Sequence, residues 1–436
     1  MLYKLIFFWL IVWHCRISAI ELHYMNEINQ PISFENTEIA FAPKSNADLK
    51  KAHILFSSMG KPWLVNFGLK FMPLAIKWHL PFTKTIIQNT IFQQFVGGET
   101  LEETASVAQK LANHKVEIIL DYGVEGGDDG EKEFNYAANE FNNVITYAAT
   151  QPNIPFMSIK VTGFARFSLL EKLDAEMHKA EGSLMKRYLY VTHNLSIADK
   201  IEWQNVRNRL VQICENAAQK NIGVLVDAEE SWIQDPVDAL TILMMDVFNK
   251  NKATVFNTIQ LYRHDRLAFL KDCYEATLER GFILGAKLVR GAYMEKERKR
   301  ATELNYPSPI QPNKERTDKD YNEAVEFCIT HLDRISTIVA SHNEYSNLLA
   351  TQLLQKNKLD LKNRHIHFSQ LYGMSDNITF NLAKAGCSVS KYLPFGPIKD
   401  VIPYLMRRAQ ENSSVAGQTG RELSLLSKEI TRRKTT

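Results

Sequence analysis

The sequence predicts an α/β fold, a closed (β/α)8 barrel of the TIM type with a helical arm in front of it. Three observations carry this reading. From about residue 117, short β-branched or aliphatic runs alternate with longer amphipathic segments, the pattern of parallel strands covered by helices. Eight such runs spread over roughly 300 residues, the size of a closed barrel, whereas doubly wound sheets usually have fewer strands. No GxGxxG follows any run, so the Rossmann alternative lacks its phosphate-binding turn.

In chain order, residues 1–20 form a targeting-like segment. Leu5 to Trp13 is apolar and flanked by Lys4 and Arg16, with Ser18 and Ala19 following, as in a secretory signal. The run is short for a bilayer span, and the absence of acidic residues before Glu21 equally suits an organelle presequence. Residues 21–94 read as a helical arm broken at Pro62, Pro73 and Pro81. Residues 95–425 make the barrel domain. Its strand runs are VEIILDYG, PFMSIKVTG, GVLVDAEE, TVFNTIQLY, ILGAKLVRGAY, STIVASHN, HIHFSQLYG and SVSKYLPFG. They end in Asp121, Lys160, Asp227, Gln260, Arg290, His342, Gln370 and Tyr392, which are expected to converge at the C-terminal mouth of the barrel.

After the last run and the turn PFGP, the segment from Pro397 to Asn412 reads as a helix that starts at this mouth. Ile398, Val401, Ile402, Leu405 and Ala409 form one apolar stripe, and Arg408, Tyr404, Glu411 and Arg407 form a polar edge beside it. Taken alone, that edge is a solvated flank in which Arg407 and Glu411 pair at i,i+4, worth a few tenths of a kcal/mol. Residues 426–436 form a basic tail, with Arg432 to Lys434 expected as a disordered, solvated end.

A chain of 436 residues, 45% hydrophobic and 23% charged, has the make-up of a globular enzyme with a sizeable core. A formal charge of +3 gives no nucleic-acid footprint. The five cysteines, Cys15, Cys214, Cys273, Cys328 and Cys387, are far apart and lack Cys-x-x-Cys spacing, which points to a reducing compartment and no cysteine-bound zinc.

Three chemistries compete. His365 and His367 form His-x-His, which on a strand turns both rings to one face. They open the seventh strand, at the face opposite the expected active site, so no metal is expected there. Proton abstraction could use Asp121 or Asp227, with Lys160 or Lys287 setting their pKa. A barrel without catalysis, serving as a binding scaffold, is the third reading. No P-loop or Ser-His-Asp signature is present.

The segments ILDYGVE, VDAEESW, FNTIQLY, AKLVRGAYMEKERKRA, ASHNE, QLYGM, KYLPFGP and YLMRRAQENSS, in this order, resemble the proline dehydrogenase family over roughly residues 95–425, nearest to its eukaryotic mitochondrial members. The resemblance implies a (β/α)8 barrel holding FAD. It implies oxidation of L-proline to 1-pyrroline-5-carboxylate by hydride transfer to the flavin, with electrons passed to a membrane quinone, so that the partners are L-proline, the quinone and a peripheral membrane contact. A hydroxyproline dehydrogenase of the same family is the first alternative, and a metal-dependent hydrolase on the same barrel the second. Arg407 and Arg408 match the pair that holds the substrate carboxylate, while Glu411, Lys160 and Asp227 match residues of the same pocket. Tyr293, Leu371 and Tyr392 match its walls. Gln260, Lys287, Val289, Ser341 and His342 match flavin contacts, and Lys287 stands where bacterial members carry arginine. The resemblance implies a mitochondrial location, although residues 1–20 look more like a signal sequence.

Overall fold

The structure, a computed structural model, describes residues 32–78, 82–123, 130–414 and 416–435. The targeting-like segment, Cys15 and Pro81 lie outside them. Eight strands run β1 Glu117–Tyr122, β2 Phe156–Ile159, β3 Gly223–Val226, β4 Val255–Gln260, β5 Leu284–Val289, β6 Ile335–Ala340, β7 Ile366–Leu371 and β8 Val389–Phe395. Each pairs in parallel with the next, and β8 closes on β1 with Tyr392 opposite Ile119. Every strand coincides with one of the runs read from the sequence, β6 alone starting one residue ahead of its run, at Ile335.

Side chains alternate across a strand, so a closed sheet sorts them into two cores. A small inner cluster of Ile119, Leu225, Phe256, Ile338 and Tyr392 fills the barrel. A much larger outer one, including Leu120, Ile159, Val226, Leu288, Val339 and Phe368, seals the strands against the surrounding helices. Because the inner cluster plugs the lower barrel, the next inward positions are the first that polar side chains can occupy facing the mouth.

The arm carries helices Asn46–Met59 and Pro62–Lys77. A reciprocal cap starts the first: Asp48 N donates to Ser45 Oγ at 3.1 Å, and Ser45 N to Asp48 Oδ2 at 3.0 Å. Pro62 opens the second, where its missing N–H costs nothing. Pro73 lies inside that helix instead of ending it; an interior proline forfeits one backbone bond, and here the helix continues regardless.

The helix Ile398–Ser414 follows β8 across the mouth. Its apolar stripe is buried, and its partner is the arm: Ile398, Val401, Ile402 and Leu405 join one cluster with Phe41, Phe56, Phe92 and Phe95. The terminal helix Ala416–Thr435 packs along Asn46–Met59. Here the structure corrects the sequence reading, because the basic end is helical and Arg432 and Arg433 are paired and half-buried, while Lys434 stays exposed. Arg432 Nη2 and Arg433 Nε reach the fully buried Glu429 at 2.9 and 2.7 Å, and Arg433 also donates to the carbonyls of Phe41 (2.9 Å) and Lys44 (2.8 Å). A buried carboxylate needs cations, and the arm supplies acceptors that the tail's own sequence does not reveal.

Arm and barrel also meet at Gly373, where Gln94 Nε2 donates to the Gly373 carbonyl at 2.6 Å. Gly373 has φ +80°, and a Cβ there would stand 2.0 Å from the Gln94 carbonyl oxygen. Gly373→Ala therefore combines left-handed strain with a backbone clash, and is expected to cost on the order of 2–4 kcal/mol. Thermal melts of the two proteins check this, and an unchanged Tm would contradict it.

Candidate active site

The mouth is built from strand ends. Asp121 ends the inward row of β1, Lys160 follows β2, Asp227 follows β3, Lys287 lies on β5 and Tyr392 on β8. Lys160 Nζ lies 3.2 Å from Asp121 Oδ1, and Lys287 Nζ lies 2.5 Å from Asp227 Oδ1. The hydroxyls of Ser158 and Tyr392 are 2.8 Å apart, and each is 2.8 Å from Asp227 Oδ2. Lys287 Nζ also sits 4.8 Å from the centre of the Tyr392 ring.

Burial raises Asp121 above the usual carboxylate range; Lys160 opposes the rise and the Asp227 charge adds to it. Burial acts on Asp227 too, but Lys287 and Lys160 outweigh it and hold that group below its usual range. Tyr392 is pushed well above 10 by burial and by the two carboxylates, so it stays a phenol. The two acids thus differ, with Asp227 the fixed anion and Asp121 the readier proton acceptor.

On the β4–β6 side, Gln260 Nε2 donates to the Glu229 carbonyl (2.6 Å) and to the Tyr262 hydroxyl (2.8 Å), while its Oε1 is buried with no hydrogen-bond partner among the described residues. Val289 lies opposite Gln260 in register. Arg290 donates to Ser341 Oγ and Ser346 Oγ at 2.7 Å each and stacks 3.6 Å from the Tyr321 ring centre. His342 Nδ1 is 2.9 Å from Ser375 Oγ. Burial, with Arg408 and Lys391 nearby, lowers this histidine to about 3, so it is neutral.

The helix over the mouth completes the group. Arg408 is buried; its Nη2 lies 2.7 Å from Glu411 Oε1, and its Nε has no partner among the described residues. The Tyr404 hydroxyl, also buried and unpartnered among them, feels the charges of Arg408, Asp121, Glu411 and Arg407, which links this helix to the end of β1. The solvated-flank reading therefore fails for Arg408, which is buried and pairs with Glu411. Arg407 is half-buried next to it.

A family profile described as proline dehydrogenase matches residues 104–421. The chain belongs to the proline dehydrogenase family. It is 31% identical over 441 residues to the mitochondrial proline dehydrogenase 1 of Dictyostelium discoideum, covering 94% of this chain and 76% of that one. It is 30% identical to the enzyme of the same name from Caenorhabditis elegans, covering 92% and 88%. A hydroxyproline dehydrogenase of Xenopus laevis is 29% identical over 90% of this chain and 88% of its own length. Among solved structures, proline utilization A from Bdellovibrio bacteriovorus superposes with a TM-score of 0.66 at 20% identity, over 94% of this chain and 43% of that longer protein, a likeness of fold.

Most residues matched to the family converge. Lys160, Asp227, Tyr392 and Lys287 share the hub, Arg408 and Glu411 close it from above, and Gln260, Val289, Ser341 and His342 line the adjoining wall. Leu371 packs at the junction of the inner cluster and the arm, and Tyr293 stands half-buried at the start of helix Met294–Glu303. Lys287, matched to a cofactor contact, is engaged by Asp227. Gln370 does not join the mouth: its Nε2 donates to the Ser341 carbonyl at 3.2 Å and its Oε1 accepts from Thr379 at 2.8 Å, because position 370 faces outward in β7. His367 faces inward at the opposite end, edge-on to Phe156 at 5.0 Å, and among the described residues neither it nor His365 joins a three-ligand group.

Sequence reasoning missed Ser158, which alternation with Lys160 on β2 places inward. It also missed a buried charge network behind the wall. Burial lifts Asp376, but Lys391 at 2.8 Å and Lys44 at 3.4 Å bring it below its usual range. Glu422, accepting from Ser375 N at 2.5 Å, is left over, and burial plus the Asp376 charge push it up to about 7. The native state thus keeps a proton that the unfolded chain releases near the ordinary 4.5, so this group's contribution to stability falls as pH rises from 4.5 to 7. Glu422→Gln keeps the acceptor and removes the titration. It is expected to match the parent at pH 5 and to exceed it at pH 8 by about 1–3 kcal/mol; melts at the two pH values check this.

Proposed function

We propose that this chain oxidises L-proline to 1-pyrroline-5-carboxylate with a non-covalently held FAD and a quinone as final acceptor, in the mitochondrion at the matrix side of the inner membrane. The observation that carries the reading is the buried Arg408 with its unpartnered Nε, held by the mouth helix over a hub of two lysine-paired aspartates. A carboxylate needs a planar, bidentate donor, and a water-poor mouth strengthens it. Arg407 and Arg408 take that role, with Glu411 orienting Arg408.

The donor set also fits a flavin. Gln260 offers a buried carbonyl oxygen lacking a donor, Ser341 and His342 add neutral polar groups, and Arg290 supplies a fixed cation; Lys287 and Val289 flank this wall. Bound there, the flavin supplies the two-electron sink for the oxidation of the ring C–N bond to C=N. The protein's part is positioning. Asp121 and Asp227 each hold a lysine already, so neither demands the substrate's amine as a cation, and the neutral amine is favoured. Tyr392, Leu371 and Tyr293 wall the ring. The Tyr392 hydroxyl is fixed by Ser158 and Asp227, so its phenyl cannot swing away to admit a ring hydroxyl, which favours proline over trans-4-hydroxy-L-proline.

The test is a flavin spectrum under anaerobic conditions. The purified chain is expected to be yellow, to bleach with L-proline and to bleach far less with trans-4-hydroxy-L-proline. Arg407→Met and Arg408→Met are expected to stay yellow and to melt near the parent, since the apolar stripe is untouched. Their kcat/KM for proline should fall by roughly 30-fold to several thousand-fold, the equivalent of about 2–5 kcal/mol. A colourless protein after reconstitution, or near-normal turnover in both variants, would refute the proposal; equal bleaching by both substrates would favour the hydroxyproline reading.

A further inference from the structure

The arm leaves an apolar band uncovered. On helix Pro62–Lys77, Trp63, Phe67 and Phe71 follow one another at i, i+4 and i+8, and they are 69%, 55% and 52% exposed. Phe67 and Phe71 stack on each other, ring centres 4.3 Å apart, with no other ring over them among the described residues. Trp78 and Phe82, past the helix end, are exposed as well, at 66% and 76%. Val65 and Met72 turn the other way, Val65 buried and Met72 packed against the cluster shared with the mouth helix. The helix is thus apolar on two faces, and among the described residues only one has a partner. Isolated exposed apolar residues are ordinary, but three large aromatic side chains on successive turns of one helix, with two more exposed ones just past its end, mark a contact site.

Charge identifies the partner. Between Asp48 and Glu99 the chain carries no acidic residue, and it carries six lysines: Lys50, Lys51, Lys61, Lys70, Lys77 and Lys84. Lys61 and Lys70 are exposed on the aromatic helix or at its start. Tryptophan and phenylalanine beside lysine, without acids, is the composition of a helix that lies in the headgroup layer of an anionic bilayer. No helix among the described residues is long and apolar enough to cross a membrane, so contact through this element lies along the surface.

We infer that the Pro62–Lys77 helix, with Trp78 and Phe82 just past its end, docks this protein onto an anionic phospholipid surface, with the aromatic side chains in the interface and the lysines on the headgroups. The helix packs directly against the mouth helix Ile398–Ser414. Docking therefore brings the open end of the barrel to the bilayer. It rests on the proposed function only in its purpose, which is to let an acceptor dissolved in the membrane approach the site; lipid binding itself needs no turnover.

The experiment is co-sedimentation of the full chain with vesicles of phosphatidylcholine alone or with about a third phosphatidylglycerol. The parent is expected to pellet with the anionic vesicles and much less with the neutral ones. Trp63→Ser/Phe67→Ser/Phe71→Ser is expected to lose at least tenfold in partitioning, and Lys61→Glu/Lys70→Glu to lose the preference for anionic lipid. Both should melt like the parent and reduce a soluble dye with proline at the parental rate. Dye reduction that fails in the parent as well would count against proline oxidation and leave the lipid result standing. Three outcomes would overturn the inference: no sedimentation of the parent, an aromatic variant that binds as well as the parent, or a parent that sediments as a dimer which the aromatic variant dissociates with no change in lipid binding.

Discussion

The site depends on a hydrophobic seam that is not part of the barrel. Ile398, Val401, Ile402 and Leu405 bury against aromatic side chains of the arm, and each such side chain contributes about 1.5–3 kcal/mol when taken from water. A helix has a fixed angular relation between its faces. Once the stripe is committed to the arm, Tyr404 and Arg408 must point into the mouth. The arm thus aims the guanidinium, and loosening the seam would misplace it without touching any polar contact.

Below that helix the charges are arranged in two tiers. Asp121 with Lys160 and Asp227 with Lys287 compensate one another at the strand ends, while Arg408 above them pairs with the half-buried Glu411 and keeps an Nε without a partner among the described residues. The hydroxyls of Ser158 and Tyr392 lock the lower tier, so orientation is set before any ligand arrives.

The barrel was legible because its signals are local. Short branched or aliphatic runs mark β4 or β6 whatever surrounds them, and the stripe of the mouth helix can be read off one wheel. Gln370 shows where this stops: it ends a strand run as Asp121 does, yet it faces outward, and only strand parity tells them apart. Ser158 was overlooked because a small hydroxyl among apolar residues announces nothing until Tyr392 and Asp227 approach from β8 and the end of β3. The roles at the mouth came from the family resemblance, since the residue types at the strand ends fit proton abstraction as well as hydride transfer. The basic tail was misread because its partners lie far away in sequence, in the carbonyls of Phe41 and Lys44.

That last contact has a meaning for how the molecule is made. Arg433 meets Lys44 across 389 positions of sequence, and such remote pairings carry a large closure entropy and form late. The barrel strands can pair neighbour by neighbour as the chain emerges. The arm, by contrast, waits for the terminal helix before it is clasped on both sides, and the mouth helix lies between the two. Binding competence is then among the last properties acquired, and a chain shortened by its final two helical turns would reach a closed barrel and still lack a firm roof.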